Sequence, residues 1–373
     1  MFKGYKWDMQ ASEQGTISDQ VLLISPEDLD FLKTHVVKLY NETIAMEGAL
    51  KNNPALCLEL GISQTMADAL CTADYNPNQH IRFMRFDFHP TDKGWQISEV
   101  NSDVPAGYPE ASVMPLLAAP YFPDYAPCGS FGEVFTRHIK QRVPQGATIA
   151  YVHDTHTIED HQIMHYLGDL LEGEGYQTMY AAPGHIQWEN GQALGIGHTI
   201  GGIVRYFPVE WMEFEPGVNW QGYVNGRTPA ANHPMALLTQ SKRLPLVWDR
   251  LGVDIPTWKM LLPTTKAPHY GTHRFFRGDY ILKPAFGRVG EGINIPGAVS
   301  LEENAAIIQA ARSSPSQWVA QKMFKSRPID NMHVTLGVFA MNGEFAGLFS
   351  RISQSPRMDS EASEIPVLVE RTI

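Results

Sequence analysis

Apolar residues recur along this chain with two spacings, and each spacing predicts a different element. From Ser25 to about Leu70 the positions Leu29, Leu32, Val36, Leu39 and Tyr40 fall three and four apart, the repeat of a helix with one buried face. Pro26, directly after Ser25, suits a first helical turn, where its missing N–H is no loss. From Arg85 the period becomes two. The run RFDFHPTDKGWQISEVN alternates Phe86 and Phe88 with Arg85 and Asp87, and later Val100 with Glu99 and Asn101, around a turn at Asp92-Lys93-Gly94. That pattern predicts a hairpin with one apolar and one polar face. A proline-rich stretch from Val104 to Pro127 breaks the pattern and is expected to run over the surface.

Strands and helices then alternate. Ala147 to His153 reads as a strand, Asp160 to Gly173 as an amphipathic helix and Tyr176 to Tyr180 as a second strand, together one βαβ-like unit. Pro234 to Leu251 reads as helix. Beyond Asp279 come a strand (Tyr280 to Lys283), a glycine-rich loop, a helix (Leu301 to Arg312) and a strand (Trp318 to Gln321). Two further strands, Asn331 to Met341 and Phe345 to Ile352, are joined through Asn342-Gly343, a strong hairpin signal. The fold class expected is α/β, shading to α+β.

Composition narrows the function. A chain of 373 residues, 43% apolar and 18% charged, can bury a large core and form several lobes. Its net charge of −11, with no basic run, lacks the electrostatic footprint of a nucleic-acid binder. No apolar run approaches a bilayer span and Met1 to Gln20 is polar, so no membrane association and a cytoplasmic location are expected. Cys57, Cys71 and Cys128 are three in number and show no Cys-x-x-Cys spacing, which predicts buried thiols rather than a disulfide framework or a thiolate metal site.

The polar face of the hairpin is the first candidate site. With Asp92-Lys93-Gly94 as a three-residue loop, Asp87 falls opposite Glu99 and Arg85 opposite Asn101, all on one face. Two facing carboxylates call for positive charge between them, and Asp, Glu and Asn are oxygen ligands of the kind magnesium takes. The same spacing also fits a solvated face carrying an Arg85–Glu99 or Arg85–Asp87 ion pair. The second candidate is YILKPAFGRVGEGINI. A strand ending in Lys283, then Gly287, Gly290 and Gly292, leaves backbone amides free to approach anionic oxygens, although a plain surface turn reads similarly. A third lies in HDTHTIEDH, where Asp154, Glu159 and Asp160 follow a strand and suit a cationic amine or simply a helix N-terminus. His153, His156, His161 and His165 crowd the same segment, but no His-Glu-x-x-His accompanies them, so a zinc hydrolase is disfavoured.

Taken together, the Arg-x-Asp strand, the nearby Glu-x-Asn, the Lys-Pro strand with its Gly-Arg-x-Gly loop and the later Gln-bearing strand resemble the synthetase portion of glutathionylspermidine synthases, ATP-grasp carboxylate-amine ligases. The resemblance runs from about Phe83 to the C-terminus. It implies an ATP-grasp fold with a preceding α/β substrate lobe and an N-terminal helical segment. The divisions implied are 1–80, helical packing; 81–130, metal-binding hairpin and connection; 131–233, the substrate lobe; and 234–373, the nucleotide-binding lobes. It implies ATP and magnesium, two ions by analogy, as cofactors. Asp87, Glu99 and Asn101 match the metal positions. Arg85 and Arg351 match the arginines that meet the transferring phosphoryl group and the phosphates. Lys242 and Lys283 match the phosphate-contacting lysines, Phe286, Gly287, Arg288, Gly290 and Gly292 the loop over the triphosphate, and Gln321 the adenine-pocket strand. Ser102, Glu159 and Asp160 are the candidate substrate contacts.

The activity implied is amide formation between a small-molecule carboxylate and an amine by way of an acyl phosphate. A small-molecule kinase, or a nucleotide-binding protein without chemistry, would share much of this sequence. No counterpart of the amidase domain of bifunctional relatives is found, so no cysteine hydrolase activity is expected. After Arg351 the chain departs from the family pattern, reading Gln354-Ser355-Pro356-Arg357-Met358-Asp359.

Overall fold

The computed structural model describes residues 4–7, 10–11, 14–268 and 279–372. Its centre is a five-stranded antiparallel sheet in the order Ser363–Ile365, Glu344–Ser353, His333–Met341, Phe83–Thr91, Gly94–Asn101. The period-two pattern gives this sheet two unlike faces. Phe86, Phe88, Leu336, Val338 and Leu348, all within 1% of full burial, point to one side. The long helix Pro26–Lys51 packs against the same sheet through Leu29, Leu32, Val36 and Leu39. Each such side chain taken fully out of water contributes about 1.5–3 kcal/mol. The opposite face carries Arg85, Asp87, Glu99, Asn101 and Arg351.

A second, four-stranded sheet is wholly parallel, in the order Ala230–Ala231, Gly202–Arg205, Thr148–Val152, Gln177–Ala181. Helix Ile158–Glu172 connects its last two strands, as the βαβ reading expected. A third sheet, Thr265–Lys266, Trp318–Lys322 and Tyr280–Pro284, is antiparallel and packs Leu282 and Ala320 against Ile307 and Ala311 of helix Leu301–Ser313. Among the described residues no helix is long and apolar enough to cross a membrane.

Four expectations are corrected. The helical stretch after Ser25 is three helices, Pro26–Lys51, Pro54–Glu59 and Gln64–Thr72, because Pro54 cannot continue the first and Gly61 turns at φ +87°. Pro234 to Leu251 is a chain of short turns around one four-residue helix, Leu237–Gln240, since Pro245 interrupts it. The proline-rich segment runs over the surface only in its second half, where Leu116, Leu117 and Tyr121 are exposed; its first half is buried. Tyr108 is fully buried, stacked on Phe131 with ring centroids 4.3 Å apart, and Glu110 and Ser112 are 2% exposed. Finally, the turn of the first hairpin has two loop residues, Asp92 and Lys93, closed by Thr91 opposite Gly94.

Candidate active site

Alternate residues of the central sheet form the floor of a cavity of about 940 Å³. Asn101 and Glu99 come from one edge strand, Arg85, Asp87 and His89 from its neighbour, then Thr335 and Gly337, then Phe349 and Arg351, and last Glu364. Gly337 is the gap in this floor. A Cβ there would stand 2.6 Å from the Phe349 ring and 2.7 Å from Arg85 Cδ, so the arginine can lie across the strand only because the side chain is missing.

The hairpin brings its polar residues face to face by an unforeseen route. A bulge between Asp87 and Phe88, with Ser98 as the extra residue, offsets the shorter turn, so Asp87 still pairs with Glu99 and Arg85 with Asn101. The Arg85–Asp87 ion pair weighed from sequence is present and two-pronged: Nε donates to Oδ1 at 2.7 Å and Nη2 to Oδ2 at 3.0 Å. Arg85 Nη1 donates to Ala106 O at 2.8 Å, and Asn101 Nδ2 to Asp87 Oδ2 at 3.1 Å. Glu99 instead faces Lys242, whose Nζ is 3.0 Å from Oε2. Burial opposes ionisation of Glu99, but Lys242 and then Lys283 hold its carboxyl down at about 2. Lys283 Nζ donates to Ser98 O at 3.1 Å. Burial, with Lys242 nearby, lowers its ammonium to about 8 even though Glu99 works the other way.

The third sheet, through Ile281 and Lys283, and the stretch 323–326 that follows it wall one part of the cavity, and three further elements wall the rest. The loops at the C-terminal ends of the parallel strands bring Glu159, Asp160, Tyr206 and Trp211, the position where such sheets bind ligands. Burial, reinforced by Glu159, raises the Asp160 carboxyl to about 7. The glycine-rich loop brings Arg288 and Gly290, and the segment after Arg351 brings Arg357 and Met358. Arg351 Nη2 donates to Asp359 O, so the segment departing from the family pattern is folded onto the site.

Of the predicted residues, Arg85, Asp87, Glu99, Asn101, Glu159, Asp160, Lys283, Arg288, Gly290 and Arg351 line one cavity. Lys242 stands beside it, joining Glu99 to the loop by donating to Gly287 O at 2.6 Å. Ser102 does not reach it: fully buried, its hydroxyl meets Thr239 at 2.7 Å and accepts from Arg82, behind the floor. The Gln321 side chain is not in the lining, Nε2 donating to Thr265 Oγ1 at 3.1 Å, but its cross-strand partner Ile281 and residues 323–326 that follow its strand are. Phe286 packs on the core, and Gly287 and Gly292 lie outside the lining. Sequence reasoning missed Lys6, Tyr206, Glu210, Trp211 and Glu364. Lys6 Nζ meets Glu364 Oε2 at 2.6 Å and Glu110 Oε1 at 3.0 Å. No local motif signals any of these.

Two carboxylates and an amide on one face are hard oxygen donors, the set a magnesium ion takes when it leaves its other positions to water or phosphate. Among the described residues no three His, Cys, Asp or Glu side chains gather into a metal-ligating group, in the histidine segment or elsewhere. His153 Nε2 pairs with His161 Nδ1 at 3.3 Å, and His161 Nε2 meets Thr155 O at 2.8 Å.

A sequence-family model described as glutathionylspermidine synthase preATP-grasp matches residues 2–370. No curated protein matches the chain. Among solved structures, a glutathione synthetase-like effector of Globodera pallida is similar with a TM-score of 0.62 at 10% identity, over 94% of this chain and 89% of that one. A candidate gamma-glutamylcysteine synthetase of Methylobacillus flagellatus is similar with a TM-score of 0.51, also at 10% identity, over 85% and 88%.

Proposed function

Because this chain belongs to the glutathionylspermidine synthase preATP-grasp family, with an α/β fold of the ATP-grasp type, we propose that it is an ATP-dependent ligase joining a small-molecule carboxylate to an amine. The observation that carries this reading is the arrangement of charge around one cavity. Arg85, Lys283 and Arg351 bring positive charge to the floor beside Asp87, Glu99 and Asn101, and Glu159 and Asp160 bring negative charge to the wall.

Asp87, Glu99 and Asn101 would hold magnesium, which neutralises phosphate charge when bound. Lys242 and Lys283 bind the phosphates, and the loop amides close over them. Arg85, fixed in plane by Asp87 and Ala106 O, orients the substrate carboxylate. A carboxylate oxygen attacks the γ-phosphorus and ADP leaves. The amine nitrogen then attacks the acyl carbon, phosphate departs and the nitrogen loses a proton. Closure of the loop keeps water from the acyl phosphate. Asp160 and Glu159 give the cationic amine an anionic docking point.

The test is a coupled ADP-release screen over pairs of carboxylates and amines, glutathione and polyamines included, with products weighed by mass spectrometry. ADP release that needs both substrates, with an amide product, supports the ligase. A stable phosphorylated product instead makes the protein a small-molecule kinase. Asp87→Asn should lose ADP release in either case, and full turnover in that variant would sink the metal assignment.

A further inference from the structure

Among the described residues, Arg288 is the side chain of the glycine-rich loop that crosses the cavity to an ion pair on the turn that follows a strand of the parallel sheet. Its Nη2 donates to Glu210 Oε1 at 2.6 Å, and its guanidinium stands 5.1 Å from the centre of the Trp211 ring. Glu210 and Trp211 are neighbours on a one-turn helix, Val209–Met212, that follows strand Gly202–Arg205. That turn is held from behind. Val209 N donates to Asp103 Oδ2 at 3.2 Å, and Asp103 is paired with the fully buried Arg205, whose Nη1 donates to it at 3.0 Å and to Phe207 O at 2.7 Å. The two partners of Arg288 therefore form a seat, offering a carboxylate for charge and an aromatic face for the planar cation.

The rest of the loop is held at a few points. Between Phe286 and Gly292 there is no regular structure, and Val289 and Gly290 turn at φ +48° and +70°. Its other anchors are Phe286 packed on the core at its start, a turn bond from Glu291 N to Arg288 O at 2.9 Å, Lys242 on Gly287 O, and a close approach to the C-terminal segment, where a Cβ on Gly290 would stand 2.5 Å from Met358 O. The pair with Glu210 is also incomplete. Glu210 Oε2 and Arg288 Nε are buried and have no hydrogen-bond partner among the described residues. One bond is made where a fork could make two, so the contact holds the loop yet leaves donor capacity on Arg288 for an arriving anion.

We infer that Glu210 and Trp211 are positioning residues that seat Arg288, and through it the glycine-rich loop, across the mouth of the cavity. The kinetic half of the test rests on the ligase reading; the structural half does not. Hydrogen exchange of the free protein, followed by mass spectrometry, should show residues 286–292 exchanging about tenfold faster in Glu210→Gln and in Trp211→Leu, the scale of losing one charged hydrogen bond or one cation–π contact. Arg288→Lys should do the same, and adding Glu210→Gln to it should change little further, because both remove one interaction. Unchanged exchange in this loop, or faster exchange spread evenly over the parallel sheet, overturns the seat. With a working substrate pair, the KM for ATP should rise in Glu210→Gln while kcat stays within about twofold; a fall confined to kcat overturns it. If no pair turns over, the exchange result still decides the seat, and only the ligase reading has failed.

Discussion

Lys242 and Glu99 meet at the edge of the hairpin, Nζ to Oε2 at 3.0 Å, although the lysine lies on a short turn far along the chain. Its neighbours hold it there. Ser241 Oγ donates to Leu60 O and Arg243 Nε to Glu59 O, each at 2.6 Å, while Lys242 N donates to Ala285 O at 2.9 Å. The lysine thus ties the polar face, the glycine-rich loop and the N-terminal helices together at one point.

That relationship sets a pH dependence of stability. The Glu99 carboxyl is depressed from an ordinary 4.5 to about 2 in the folded chain, by Lys242 and then Lys283 acting against burial. A depressed carboxyl stabilises fully above 4.5, and that contribution disappears as pH falls toward 2. Urea unfolding of the wild type and Glu99→Gln should therefore differ most near neutrality and converge over that window. A gap that stays constant down to acid would count against the pairing.

Lys283 sets a second dependence, on the alkaline side. Burial lowers its ammonium to about 8, so its charge is lost as pH rises through that value. ATP affinity, measured by calorimetry, should weaken above this pH, and Lys283→Arg should abolish that weakening because a guanidinium stays charged. Lys283→Ala should weaken binding about tenfold or more at neutral pH.

Gly337 offers a test that touches no charge. Its added Cβ would collide with both Phe349 and Arg85, so Gly337→Ala should push Arg85 off Asp87. Turnover should fall by about tenfold or more, with a stability loss of about 1–3 kcal/mol from overpacking. Wild-type turnover in this variant would mean that Arg85 does not need its place.

Asp160 should govern the amine. With its carboxyl raised to about 7 by burial and then Glu159, it becomes anionic only as pH rises through that value. Binding of a polyamine, which stays cationic over this range, should tighten between about pH 6 and 8. Asp160→Asn should bind more weakly and show a flat profile; an unchanged slope would remove Asp160 from the amine site.

Much of the architecture could be read from spacing. The period-two run around Phe86 and Phe88 predicted a half-buried hairpin, and Asn342-Gly343 predicted the second one, which closes with positive φ at both residues. Pro26 marked the long helix, and Ser25 caps it by accepting from Asp28 N at 3.0 Å. Errors arose where local signals compete with packing. Proline in Val104–Pro127 signalled a surface loop, but Tyr108 had an aromatic partner in Phe131 that no local rule could name. The facing of Asp87 and Glu99 came out as expected through two cancelling departures, a shorter turn and a bulge.

By itself the sequence determined which residues alternate, where chains turn and which short segments carry acid, base or glycine, because those properties depend on neighbours a few positions away. Only the tertiary structure decided that Lys242 meets Glu99, that Arg288 crosses to Glu210 and that Lys6 faces Glu364. Those pairs join segments whose separation along the chain carries no information about distance. They form because the sheet and its flanking helices bury their apolar faces first, and the charges left on the opposite face must then find partners where water is scarce.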